Sequence, residues 1–198
     1  MTRGPFSPAV LILSGGALLL GAFLLVGYLL PSDWEAEASS LVPAPPEVVF
    51  EVLDAPEGWQ RWTPWPESGV ERTGPERGAG ATLSWNDLDL GSGSFMIEQA
   101  QEPTRVTYRV SIEEGAIRAD GSVEVTAESG GSRVTWRERG DFGWNPLMGY
   151  WALTMSRAQA DELTKGLDRL RALVAQESTA TPADSLVAAG GAPLPTSP

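Results

Sequence analysis

The sequence predicts an α+β domain, a bent antiparallel sheet carrying one long C-terminal helix, set behind a single membrane-spanning helix. Three observations carry this expectation. A long apolar run without charge lies near the N-terminus; short segments with an apolar period of two fill the middle; and a period of 3.6 takes over near residue 163.

No charged residue occurs from Gly4 to Ser32. A helix over residues 8–30 spans about 35 Å, enough for a hydrocarbon core of roughly 30 Å. It has no polar face, as a core helix of a soluble domain would. A cleavable signal peptide is the competing reading, with Arg3 as its basic end and Ala36-Glu37-Ala38 as a small-x-small site. The apolar stretch is too long for that, and cleavage there would remove part of the first strand. Residues 1–7 are therefore expected as a short cytoplasmic N-terminus and 8–30 as an uncleaved anchor. Arg3 lies on one side of it, and Asp33, Glu35 and Glu37 lie on the other. The positive-inside tendency puts the chain in the cell membrane as a single-pass protein, with its domain on the outer, periplasmic or extracellular, side.

The domain is expected over residues 34–176. Trp34 to Val42 reads as a first strand stopped by Pro43, and Ala44-Pro45-Pro46-Glu47 opens a short helix whose face is Val49, Phe50 and Leu53. A tryptophan-rich segment from Gly58 to Pro66 follows. Period-two strands come next at 81–85, 93–99, 105–112, 122–127 and 133–139. Turn signals separate them: Gly91-Ser92-Gly93, Glu102-Pro103, Asp120-Gly121 and Gly130-Gly131-Ser132. Such short spacers require an antiparallel meander. Asn145-Pro146 starts the last helix, in which Leu163, Leu167, Leu170 and Val174 form one stripe. Residues 177–198, without aromatic or basic side chains, read as a disordered tail. A helix laid across a bent sheet leaves a space that suits a ligand.

Composition narrows the chemistry. The chain has 198 residues, a net charge of −12, and neither cysteine nor histidine. Disulfides, thiolate nucleophiles, Cys/His zinc sites and histidine-based relays are excluded. The acidic balance argues against a nucleic-acid partner. No glycine-rich loop leads into Lys-Ser/Thr and a helix, and the acidic pairs Asp87/Asp89 and Glu113/Glu114 lack a calcium-loop pattern. No metal and no cofactor is expected.

Several segments, in order, resemble the START-like, or SRPBCC, superfamily in its polyketide cyclase/dehydrase and lipid-transport branch. Ala44 to Phe50 looks like its opening helix, and Trp59-Gln60-Arg61-Trp62-Thr63-Pro64-Trp65 is similar to its W-x-x-W-S-P-W turn. Gly78-Ala79-Gly80-Ala81, Gly130 to Trp136, and Gly166-Leu167 with Leu170 complete the series. The resemblance implies the helix-grip fold, with strand–helix order β-α-α-β-β-β-β-β-β-α, and a cavity for a hydrophobic ligand. It implies no catalytic motif.

The candidate cavity residues are Trp62, Trp65, Leu83, Trp85, Phe95, Ile97, Tyr108, Trp136, Met148, Trp151 and Met155; Trp144 belongs to the same aromatic set. Each of these large side chains has an alternative role in ordinary core packing. Glu138 follows Trp136 by two and points inward if Trp136 does, so it is a candidate acid/base or head-group ligand. Alternatively the strand opens there, and Glu138 meets water or an arginine. Asp141, Asp161 and Tyr108 are weaker candidates for proton transfer. The expected function is non-catalytic binding of a hydrophobic small molecule or lipid by a membrane-tethered module. The alternatives are a carboxylate-based cyclase/dehydrase-like enzyme, or an interaction domain with a filled core.

Overall fold

The computed structural model describes residues 8–66, 69–87, 91–115, 117–143 and 145–180. Residues 1–7, Trp144 and residues 181–198 of the expected tail lie outside them. The elements are α1 (Pro8–Leu29), β1 (Asp33–Val42), α2 (Pro46–Leu53), α3 (Pro56–Gln60), β2 (Val70–Thr73), β3 (Thr82–Asp87), β4 (Gly91–Gln101), β5 (Arg105–Ile112), β6 (Ile117–Glu128), β7 (Gly131–Asp141) and α4 (Pro146–Ala180). Helix α1 is long and apolar enough to cross a membrane: its most apolar 18-residue window has a mean hydropathy of 2.5 and is not buried within the protein, whereas Gly27 near its end packs against α4.

The seven strands form one antiparallel sheet in the order β1-β7-β6-β5-β4-β3-β2. It is the expected meander, with β1 returning to pair along all of β7 from Asp33↔Asp141 to Val42↔Ser132. Alternation decides the faces. Trp34, Ala36 and Ala38 of β1 and Val134, Trp136 and Glu138 of β7 are buried, whereas Glu35, Glu37, Arg137 and Arg139 are exposed on the other face. Leu163, Leu167, Leu170 and Val174 of α4 pack into the same core as the buried strand residues. Burying each such side chain contributes about 1.5–3 kcal/mol relative to leaving it in water.

Two expectations need correction, and one strand that the expected order includes leaves no period of its own. Strand β2 is invisible to periodicity because Val70-Glu71-Arg72-Thr73 is an edge strand with no buried residue, held by pairing to β3. Helix α4 runs to Ala180, so the first residues assigned to the tail are helical. The signals Gly91-Ser92-Gly93 and Asp120-Gly121 are not turns but parts of β4 and β6. Gly93 and Gly121 serve rings, as Gly140 of β7 does. Gly93 lies opposite Trp85, Gly121 opposite Tyr108 and Gly140 opposite Trp34, and in each case a Cβ would collide with the facing ring. Gly166 of α4 makes the same allowance for Trp136. Aromatic side chains lie over strand glycines, restoring the burial that a bare backbone forfeits.

Candidate functional site: an aromatic interior with a buried carboxyl

Trp59, at the end of the short helix α3, is the hub of the interior. Its indole N–H donates to the Leu53 carbonyl at 2.6 Å, which fixes the ring between α2 and the sheet. Its ring centroid lies 4.7–5.7 Å from those of Trp62, Trp65, Phe95, Tyr108 and Trp136. Edge-to-face and offset contacts of this kind add about 0.5–1.5 kcal/mol per pair beyond area burial. Trp59 is not among the cavity residues expected from the sequence. Its spacing of three from Trp62 on a short helical segment is the signal that places both on one face.

Most of the expected cavity residues do come together. Trp62, Leu83, Trp85, Phe95, Ile97, Tyr108 and Trp136 are buried, and Trp65 and Met155 pack against them while remaining partly exposed. Trp65 stacks on Trp59 and on Trp85, with centroids 5.7 and 6.0 Å apart. The indole N–H groups of Trp34, Trp62 and Trp85 are buried without a hydrogen-bond acceptor among the described residues. Met148 is half-buried in the first turn of α4. Trp151 is a correction, for it stands 61% exposed, away from the interior. The reason is local. Over its first turns α4 lies against α1, with Gly149 beside Gly27 and Leu30, so the face bearing Trp151 has no sheet to cover it.

Glu138 points inward and is buried. Its partners are neutral side chains rather than an arginine. The Tyr108 hydroxyl donates to one of its carboxylate oxygens, and Gln159 of α4 donates to the other at 2.5 Å. The Trp136 indole N–H in turn donates to the Tyr108 oxygen at 2.5 Å, giving a chain of donors that ends on the carboxylate. Burial pushes the Glu138 carboxyl above the usual range, although the hydrogen bonds from Tyr108 and Gln159 oppose the shift. Burial, the Glu138 charge and the hydrogen bond to it push the Tyr108 hydroxyl well above its ordinary value. Tyr108 therefore stays a donor. Sequence reasoning also missed Gln159; it lies four residues before Leu163 and so falls on the apolar stripe, where a polar side chain needs a buried partner.

The other carboxylates lie elsewhere. Asp141 is exposed and accepts from the Ser32 hydroxyl at 2.7 Å and the Gly143 N–H at 2.8 Å, bonds that hold its carboxyl below the usual range. It ties the end of β7 to the start of β1 and does not face the interior. Asp161 is exposed on α4.

Two surface cavities stand out among the described residues. A groove of about 610 Å3 crosses the outer face of the sheet, and a second of about 490 Å3 lies beside Trp34 and Phe142 at the end of β7. Opposite charges pair across the larger one: Arg109 with Glu98 and Asp120, each at 2.9 Å, and Arg137 with Glu37 at 2.7 Å. Neither lies between the sheet and α4, where the rings touch one another instead.

Known proteins share this architecture. Solved structures of similar fold include an uncharacterized protein from Rhizobium leguminosarum, 20% identical with a TM-score of 0.52, covering 73% of this chain and 95% of that one. A protein from Thermus thermophilus is 21% identical with a TM-score of 0.56, covering 73% and 99%. A protein of unknown function from Staphylococcus aureus is 14% identical with a TM-score of 0.59, covering 74% and 96%. At these identities the likeness shows the helix-grip fold alone. No curated protein matches the chain. The family profile described as "Polyketide cyclase / dehydrase and lipid transport" matches residues 33–175, from the start of β1 to deep into α4. With the sheet, its glycine-seated rings and all but the last five residues of the long helix inside that match, the chain belongs to the polyketide cyclase/dehydrase and lipid-transport family of the START-like superfamily.

Proposed function

We propose that this protein is a membrane-anchored, non-catalytic member of its family that binds a hydrophobic small molecule or lipid between the sheet and α4. The observation that carries the reading is the aromatic interior with unpaired donors: the Trp62 and Trp85 indole N–H groups are buried and lack acceptors among the described residues. A buried donor left unpaired costs about 1–3 kcal/mol, so a ligand offering an apolar body and an acceptor recovers that cost. Trp65, partly exposed and stacked over Trp85, is the movable ring that a ligand displaces. Helix α1 is the anchor, holding the domain on the outer side of the membrane at high effective lipid concentration.

The test is a titration of the full chain in nanodiscs with fatty acids and flat polycyclic compounds, read by tryptophan emission. Saturable binding that weakens in Trp85→Phe supports the proposal. A response that never saturates, or one indifferent to Trp85, counts against it. Carbonate extraction that leaves the chain in the membrane pellet checks the anchor.

One observation favours an enzymatic second reading. Glu138 is buried, with a raised carboxyl pKa, and is hydrogen-bonded to Tyr108 and Gln159. Such a group suits proton transfer to or from a substrate in a cyclase/dehydrase-type reaction. Glu138→Gln abolishing a discovered turnover while leaving ligand affinity unchanged would favour this reading. An interaction domain with a filled core is the third possibility, and the contact among the rings favours it.

A further inference from the structure

The first turns of α4 have features that a binding cavity does not use. Between Asp141 and Arg157 the chain carries no charged residue, although its net charge is −12. Within this stretch Leu147, Trp151 and Leu153 are 48%, 61% and 62% exposed. At 3.6 residues per turn, Leu153, Tyr150, Thr154, Leu147 and Trp151 sweep about 160° of the helix surface. The polar member, Thr154, donates its hydroxyl to the Trp151 carbonyl at 3.0 Å, so this face asks little of water.

This face sits beside the outer end of α1. The Tyr150 ring stacks on Phe23 with centroids 4.6 Å apart, and its hydroxyl donates to the Phe23 carbonyl at 2.7 Å. Gly27 is glycine where it must be, because a Cβ would strike the Pro146 carbonyl and the Tyr150 ring. Phe23 lies six residues before Leu29, about 9 Å along the helix. A side chain at that level reaches the boundary of headgroups and acyl chains, where amphipathic helices bury their apolar face about 5–10 Å deep. Tryptophan and tyrosine are enriched at this depth.

We infer that the first turns of α4 are an interfacial membrane segment: Leu147, Trp151 and Leu153 insert among the lipids surrounding the outer end of α1. The inference rests on α1 being the membrane anchor. The domain then stands on the bilayer at two points, α1 and the start of α4, with its orientation fixed. Helix α4 thereby joins the bilayer surface directly to Gln159 and Met155 of the interior.

The absence of native cysteine makes the test clean. Full-length Leu153→Cys, Leu19→Cys and Asp168→Cys are each labelled with an environment-sensitive fluorophore. Each is reconstituted in phosphatidylcholine vesicles doped with lipids carrying a shallow or a deep quencher. Leu19 lies mid-helix in α1, and Asp168 is exposed in the distal half of α4. The expected result is at least several-fold stronger shallow quenching at Leu153 than at Asp168, and deep quenching at Leu19. Trp151→Cys provides a second patch position and gives the same shallow quenching. Deep quenching at Leu19 with Leu153 and Trp151 behaving like Asp168 overturns the inference and leaves the anchor standing. No quenching at Leu19 overturns both. A blue-shifted patch probe that no lipid quencher reaches also overturns it, because protein and not lipid then covers the face.

Discussion

In its distal half α4 hides Leu163, Leu167, Leu170 and Val174 under the sheet, whereas in its first turns it displays Leu147, Trp151 and Leu153. One helix thus has two regimes. The distal half carries charges on its outer face, such as Lys165 paired with Glu162 at 2.6 Å, and Arg169 donates to the Trp62 carbonyl at 2.6 Å. The proximal half carries no charge until Arg157, and its neighbour is α1. The difference teaches that the sheet specifies only the part of the helix it covers. Beyond its edge, the sequence answers to α1 and, on our reading, to lipid.

The strongest way to break this comparison is to truncate both halves. Leu167→Ala, in the gripped half, is expected to cost about 2–5 kcal/mol, since it removes a buried side chain and leaves a cavity. Denaturant unfolding of the full chain in mild detergent measures the loss. A smaller but sizeable effect is expected under the rings. Gly121→Ala forces a Cβ into Tyr108, and overpacking of this kind costs about 1–3 kcal/mol by the same assay.

The pH dependence comes next. The folded carboxyl of Glu138 titrates above the unfolded one, so its contribution to stability is fully present below the unfolded pKa and lost as pH rises through the folded pKa. Thermal unfolding across the carboxylate range should show this loss on the alkaline side, and Glu138→Gln should remove it. Asp141, with a lowered carboxyl, has the opposite sign: its contribution is lost as pH falls. Screening at that exposed position keeps it small. The smallest effect closes the comparison. Leu153→Ser should change stability by less than about 0.5 kcal/mol in detergent, because the side chain it replaces is exposed. A loss like that of Leu167→Ala would show that the proximal half is gripped too.

Much of the fold was legible because burial leaves a period. Strand β5 alternates Val106, Tyr108 and Val110, and the stripe from Leu163 to Val174 keeps helical spacing, so both elements could be read directly. Edge strand β2 buries nothing and leaves no period. The glycines of β4 and β6 misled for another reason: within a strand and within a turn they look alike, and only the facing ring distinguishes them. At the site, alternation puts Glu138 on the same face of β7 as Trp136, but its partners come from β5 and α4, far away in sequence. Trp151 shows the limit from the other side. Helical spacing relates it to Met155, yet burial depends on what lies opposite, which spacing does not encode.

The central claim is that the interior holds a hydrophobic molecule, and native mass spectrometry of the full chain released from its own membrane tests it most directly. The predicted result is one hydrophobic molecule retained per chain, with occupancy reduced in Trp85→Phe. A chain that is always empty, under conditions in which the bilayer lipids around α1 are still carried, would contradict it.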